Sequence, residues 1–253
     1  MEAKKSILIT GASNGIGAAL AEEYASNGNF LAISGRNAER LNTLAERCRN
    51  KGAVVETAVL DVMDITGMSR WISNVNSRVC LDLVIANAGI AGGGDGVGKG
   101  AAATHKIFQT NINGVLNTVI PILEVMEEQG HGQIAIMSSL AAFRGFPSTP
   151  AYSATKAAVK VWGEGLRARC ATNGIQVSVI CPGFVQSGIT KRNPFPMPLI
   201  MSSKKAAKII RAGLERNTAR IAFPRRMYFV AWLLGVLPPS FSYRLMPKVV
   251  LKE

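Results

Sequence analysis

The chain has 253 residues, 48% of them hydrophobic, which suits one large α/β domain over 1–253 with ample apolar content for a core. Its four cysteines, Cys48, Cys80, Cys170 and Cys181, include no Cys-x-x-Cys pair, and His105 and His131 stand far apart, so no structural zinc site is expected and no metal is suggested. The net charge of +13 is uneven: residues 191–253 carry thirteen Lys/Arg against Glu215 and Glu253, a net of +11, leaving +2 for residues 1–190.

The first residues run from Met1 straight into Ile7-Leu8-Ile9, with no apolar leader and no small-residue cleavage site. No signal peptide is read, and reduced, mostly buried thiols in a cytoplasmic protein are expected.

In chain order, strands are predicted near residues 6–10, 30–34, 54–60, 81–86, 133–138, 176–181 and 220–223. Continuous apolar runs such as Leu83-Val84-Ile85-Ala86 suit strands buried on both faces. Helical patterns over 16–27, 38–50, 106–129 and 151–172 each end near a glycine: Gly28, Gly52, Gly130 and Gly174. Strands alternating with helices imply βαβ crossovers and a Rossmann-type, doubly wound parallel sheet of about seven strands in three α/β/α layers. Ligands of such a sheet bind outside the strand C-termini.

The first strand leads directly into Thr10-Gly11-Ala12-Ser13-Asn14-Gly15-Ile16-Gly17, which opens a helix. Glycines let backbone approach a pyrophosphate, and a helix N-terminus offers it N–H groups and positive dipole. The spacing is Gly-x-x-x-Gly-x-Gly rather than Gly-x-Gly-x-x-Gly. At the end of the second strand, Gly35 leaves room and Arg36 offers a charged fork. NAD-preferring sites place an acid there, so Arg36 points to NADP(H). The segment 91–100 is rich in glycine and is read as a mobile connection.

Tyr152 and Lys156 stand four residues apart, one turn along a helix face. A free phenol titrates at about 10, and a nearby ammonium favours its phenolate. A phenol tuned in this way is a general acid/base for a carbonyl/alcohol pair. Ser139, thirteen residues before Tyr152, would reach the same oxygen from a strand end.

These motifs, with Asp61-Val62, Asn87-Ala88-Gly89, Asn111 and Pro182-Gly183 in the same order, resemble the short-chain dehydrogenases/reductases over roughly residues 5–190. The resemblance implies that Tyr152 protonates a carbonyl oxygen or deprotonates an alcohol. Lys156 would lower its pKa and hold the nicotinamide ribose, and Ser139 would hold the substrate oxygen. Asn111 is implied to hold a proton-relay water in preference to the nearby Asn113, and Ser139 rather than its neighbour Ser138 is implied to hold the substrate oxygen. Gly11, Ser13, Asn14, Gly15, Ile16 and Gly17 would cradle the pyrophosphate. Asp61 would accept from the adenine, Val62 would add backbone, and Asn87, Ala88 and Gly89 would line the adenosine side. After Pro182 and Gly183, Val185 would offer backbone to the carboxamide. Ser187 stands where the family often has threonine, so that contact is less secure. Helices 106–129 and 151–172 resemble those that pair across a family dimer, so a homodimer or homotetramer is implied.

Residues 191–201 read as an apolar lid with three prolines, and 204–216 as an amphipathic helix. The apolar run 227–237 follows Arg225-Arg226 and is too short to span a bilayer, which needs about 20 residues. Two readings stay open: a core-packed helix that closes the substrate pocket, and an anchor on an anionic membrane surface. No nucleic-acid motif accompanies the charge, so nucleic acid is set aside. The expected activity is NADP(H)-dependent interconversion of a carbonyl and a secondary alcohol, as a reductase on a hydrophobic or lipid-linked small molecule. A non-catalytic NADP(H)-binding sensor or scaffold is the alternative.

Overall fold

A computed structural model of the chain describes residues 4–91, 100–188, 190 and 197–245. The elements in chain order are β1 (Ser6–Ile9), α1 (Gly15–Tyr24), β2 (Phe30–Gly35), α2 (Ala38–Arg49), β3 (Val54–Val59), α3 (Ile65–Val79), β4 (Leu83–Ala86), α4 (Ala101–Phe108), α5 (Gly114–Gln129), β5 (Gly132–Met137), α6 (Pro150–Cys170), β6 (Ile175–Pro182), α7 (Ser203–Glu215), β7 (Arg220–Phe223), α8 (Arg225–Val236) and α9 (Pro239–Leu245). All seven strands form one parallel sheet in the order β3-β2-β1-β4-β5-β6-β7. The order reverses between β1 and β4, which pair through Leu8 and Val84. A crevice therefore opens beyond the C-terminal ends of these two strands.

Alternation along the strands builds both faces of the core. Ile7 and Ile9 pack against α1, α2 and α7, while Leu8 packs against α3, α5 and α6. Each fully buried leucine or isoleucine, such as Leu20 or Ile72, stabilises the sheet by about 1.5–3 kcal/mol. Parallel strands covered by helices on both sides explain the unbroken apolar run of β4.

Helix α3 is absent from the predicted elements. Asp64 caps it by accepting from the Gly67 N–H at 2.9 Å, and Met68, Trp71, Ile72 and Val75 bury its inner face. That spacing is helical, but Gly67, Ser73 and Asn74 dilute its helix propensity. The predicted helix over 106–129 is really α4, a π-helical turn at Gln109–Asn113 and α5 in succession. The predicted 204–216 helix is α7, whose Ala206, Ala207, Ile210 and Leu214 pack on the α1–α2 side of the sheet. Most of the glycine-rich connection and residues 191–196 of the apolar lid lie outside the described residues.

Candidate active site

β1 ends at Ile9, and Thr10 leads at once into the glycine turn. Gly11 has φ +67°, a left-handed value that favours glycine. A Cβ on Gly17 would lie 2.5 Å from both Gly11 O and Asn87 Nδ2, so only hydrogen fits there. Asn87, just beyond β4, clamps the turn by donating from Nδ2 to Thr10 O at 2.9 Å and Gly11 O at 3.2 Å. Thr10 Oγ1 accepts from the N–H groups of Asn87 and Ala88, which locks the ends of β1 and β4 together. Asn14 opens α1 by accepting from the Gly15 N–H at 2.7 Å. The result is a rigid backbone cradle at the positive end of α1, suited to an anionic phosphate group.

Ser13 lies against Gly35: a Cβ on that glycine would approach Ser13 Oγ to 3.1 Å. Arg36 Nη1 is 3.7 Å from Asp61 Oδ2, so these two predicted residues share one rim of the crevice. Both side chains are substantially exposed, and such a pair contributes little to stability. Asp61 Oδ1 also accepts from the Met63 N–H at 3.1 Å. Val62 is buried against Gly114, and its carbonyl accepts from Asn117 at 2.9 Å. On the far rim, Ser187 sits directly above Gly15, where a Cβ would come within 2.9 Å of Ser187 Cβ. The Val185–Met201 bridge uses the Gln186 N–H and the Phe184 carbonyl, so the Val185 N–H stays outside that ladder. Thr190 Oγ1 holds the loop by accepting from the Ser187 N–H at 2.8 Å and donating to Val185 O at 2.9 Å.

The second cluster gathers at the ends of β4 and β5. Pro150 starts α6 at a position where its missing N–H costs nothing, and Tyr152 and Lys156 follow on one face. Lys156 is only 3% exposed. Its Nζ donates to Met137 O at 2.9 Å and lies 5.8 Å from the centre of the Tyr152 ring. No carboxylate pairs with it among the described residues. Burial pulls its ammonium from the usual lysine range down to about 8, with a small opposing effect from Cys181.

Asn111 occupies the π turn and is fully buried. Its Oδ1 accepts from the Ile90 N–H at 2.8 Å. Its Nδ2 donates to Ile90 O at 2.9 Å and Thr155 Oγ1 at 3.0 Å. Gly89 completes the cluster: its Cβ would meet Asn111 Oδ1 at 3.1 Å and Lys156 Nζ at 3.2 Å. Ser139 stands two residues beyond β5 and caps a 3-10 turn (Leu140–Ala142), accepting from the Ala141 N–H at 3.1 Å. Its hydroxyl reaches Pro182 O at 3.5 Å, which joins it to the end of β6, while the Gly183 N–H donates to Phe223 O at 2.8 Å. The neighbouring Ser138 instead turns inward and donates to Lys156 O at 2.7 Å.

The family model described as short chain dehydrogenase matches residues 5–195. This chain belongs to the short-chain dehydrogenase family. An uncharacterized oxidoreductase of Myxococcus xanthus is 34% identical over 240 residues, 94% of this chain and 95% of that protein. A short-chain dehydrogenase from Sphingobium yanoikuyae in complex with NADPH superposes with a TM-score of 0.80 at 26% identity, over 87% of this chain and 88% of that one. A short-chain dehydrogenase/reductase of Burkholderia phymatum in complex with NAD has a TM-score of 0.81 at 22% identity, over 90% and 92% of the two chains, a likeness of fold alone. As a short-chain dehydrogenase, the protein is an oxidoreductase.

Sequence reasoning overlooked the hydroxyls that fix this short-chain dehydrogenase site: Thr10, Thr155 and Thr190. Thr10 and Thr155 lie within or beside quoted motifs, and their burial is the signal that separates them from surface threonines. Thr190 follows Ser187 by three residues, a spacing at which a hydroxyl can bond the local backbone. Among the described residues, no group of three His, Cys, Asp or Glu could hold a metal ion.

Proposed function

We propose that this chain is an NADP(H)-dependent reductase, a single domain over 1–253, that converts a carbonyl to a secondary alcohol on a hydrophobic or lipid-linked small molecule. The observation that carries this reading is the buried Lys156 ammonium beside the Tyr152 ring, without a carboxylate partner, at the strand ends where a Rossmann sheet binds its ligands. A buried charge without a counter-ion costs stability, and it shifts the protonation of its neighbours.

The glycine turn of Gly11, Ser13, Asn14, Gly15, Ile16 and Gly17 would hold the pyrophosphate of a nicotinamide dinucleotide. Arg36 would face the 2′-phosphate, and Asp61 the adenine with Val62 beside it. Asn87, Ala88 and Gly89 would line the adenosine side, and the Val185 N–H and Ser187 hydroxyl would fix the carboxamide beyond Pro182 and Gly183. The dinucleotide, when bound, supplies the hydride. Tyr152 would give the proton at the substrate oxygen, and Ser139 would hold that oxygen as charge develops. Lys156 would favour the Tyr152 phenolate and hold the ribose. Both amide hydrogens of Asn111 are committed to Ile90 and Thr155. A relay water would then sit on an acceptor of Asn111, its main-chain carbonyl or the second lone pair of Oδ1.

The exposed Ile120 of α5 and Val161 of α6 support a homodimer that pairs these helices. The test of function is fluorescence titration with NADPH and NADH, repeated for Arg36→Ala, followed by a carbonyl screen. NADPH binding that weakens selectively in Arg36→Ala is expected. Preference for NADH would reassign Arg36 to its contact with Asp61, and binding of neither would sink the enzymatic reading.

A further inference from the structure

Helix α8 packs on the turn that follows Ser139, but with one side only. Ala231 is its buried residue, and Met227 and Tyr228 join it against Leu140, Phe143 and Cys181. Phe143 meets the Tyr228 ring edge-on, with centroids 5.5 Å apart. Arg144 then closes the helix end, donating from Nε to Leu234 O at 2.8 Å and from Nη2 to Leu237 O. Arg220 ties in the near end through Glu164 and Tyr228 Oη. The orientation of α8 is therefore fixed.

Its outer side is apolar. Phe229 and Val236 are each 61% exposed, and Val230, Trp232 and Leu233 are exposed with them. At helical spacing Phe229, Trp232, Leu233 and Val236 span about 100° of the surface. Phe229 and Trp232 lean on one another at 6.2 Å. Arg225 and Arg226 stand at the N-terminal end of the same face, exposed and without an acidic partner among the described residues. Phe241 and Arg244 repeat the combination on α9. A contiguous apolar face of this kind marks a contact surface.

We propose that the outer face of α8 docks this protein on an anionic lipid surface, its aromatic side chains among the acyl chains and its arginines at the headgroups. Charge decides between occupants. A two-fold contact with a second copy doubles the positive charge at one interface and, among the described residues of the patch, offers no acid to offset it. Glu215, the one acid described in the basic tail, is already bonded to Arg211 at 2.7 Å. Anionic headgroups instead attract every one of these arginines. No described helix is long and apolar enough to cross a membrane, so the geometry is that of a helix lying in the interface. The Ser139 turn would then lie about one helix diameter, on the order of 10 Å, from the lipid.

The full chain is sedimented with vesicles of phosphatidylcholine alone, or of phosphatidylcholine with phosphatidylglycerol, at low and high salt. Binding to the anionic vesicles is expected, with a blue-shifted tryptophan emission that Trp232→Phe abolishes. Phe229→Glu with Trp232→Glu should weaken partitioning about tenfold per aromatic. Both side chains are exposed, and an unchanged melting temperature verifies the fold. Arg225→Gln and Arg226→Gln should each weaken it about fivefold. Failure to bind either vesicle at low salt overturns the proposal. So does a double glutamate variant that binds as well as the parent, or one that merely converts a larger oligomer to a smaller one. Vesicle binding is read without turnover, so its failure leaves the proposed chemistry standing.

Discussion

Two helices meet the short turn after Ser139, and they treat charge in opposite ways. α6 buries Lys156 at 3% exposure beside Tyr152. α8 leaves Arg225 and Arg226 in solvent beside Phe229 and Trp232, which a folded chain would ordinarily cover. A lone buried ammonium costs stability, so its retention points to work done inside the molecule. An apolar face in water costs in the other direction and points outside it.

The largest expected effect tests the inner half of that contrast. Tyr152→Phe keeps the ring beside Lys156 and removes only the hydroxyl. Turnover should fall by about 10²–10⁴, the usual worth of a positioned acid/base, while titration with NADPH is unchanged. Ser139→Ala should cost about 10²–10³ in turnover. If Tyr152→Phe turned over normally, the burial of Lys156 would have only a structural meaning and the contrast would collapse.

The next effect is read from pH. Burial lowers Lys156 from 10.5 to about 8. Between those values the unfolded chain holds the proton that the folded chain has released, so stability rises with pH across this window. The penalty is fully present below about pH 8 and amounts to on the order of 3 kcal/mol. Denaturant melts of the parent and Lys156→Met should therefore converge as pH rises from about 7 to about 10, the parent gaining relative to the variant. A constant difference would contradict the buried charge. Carbonyl reduction by the parent should decline above about pH 8, as Lys156 loses the charge that favours the phenolate.

The inner half was also the more legible in sequence. The strands and the Tyr152/Lys156 spacing follow from period and chemistry, and the sheet has the seven expected members. The π turn at Asn111 was not legible, because its extra residue breaks no apolar pattern. Helix α3 was missed for its polar, glycine-containing sequence despite a sound cap. The tail divided. α7 separates its charged and apolar faces, and its sequence announces the packing. In α8 nearly every position after Arg226 is apolar, so the buried side can be told from the exposed side only once Phe143 and Arg144 are seen against it.

Arg144 ties α8 to the turn after Ser139, and it sharpens the comparison at moderate cost. Arg144→Ala removes charged donors from the carbonyls of Leu234 and Leu237. Stability should fall by about 2 kcal/mol. Hydrogen exchange should show the loss concentrated in residues 225–237, with the strands unaffected. Loss spread evenly over the sheet would mean that α8 is not held by this cap.

The smallest expected effect separates two adjacent hydroxyls. Ser138 and Ser139 are chemically identical, yet one faces α6 from within and the other stands at the strand end. Ser138 Oγ donates to Lys156 O, a carbonyl in the interior of α6 that also has a helical N–H partner available. Ser138→Ala therefore strands no acceptor, and the cost should be one ordinary hydrogen bond, about 1 kcal/mol. Because α6 keeps its own ladder, Lys156 stays in register and turnover should remain within about twofold. Ser139→Ala should cost a similar ~1 kcal/mol, for the cap it removes from the Ala141 N–H, but turnover should be lost. A Ser138→Ala variant that loses turnover as severely would move the substrate-holding role one residue upstream and invert the assignment made from the thirteen-residue spacing to Tyr152.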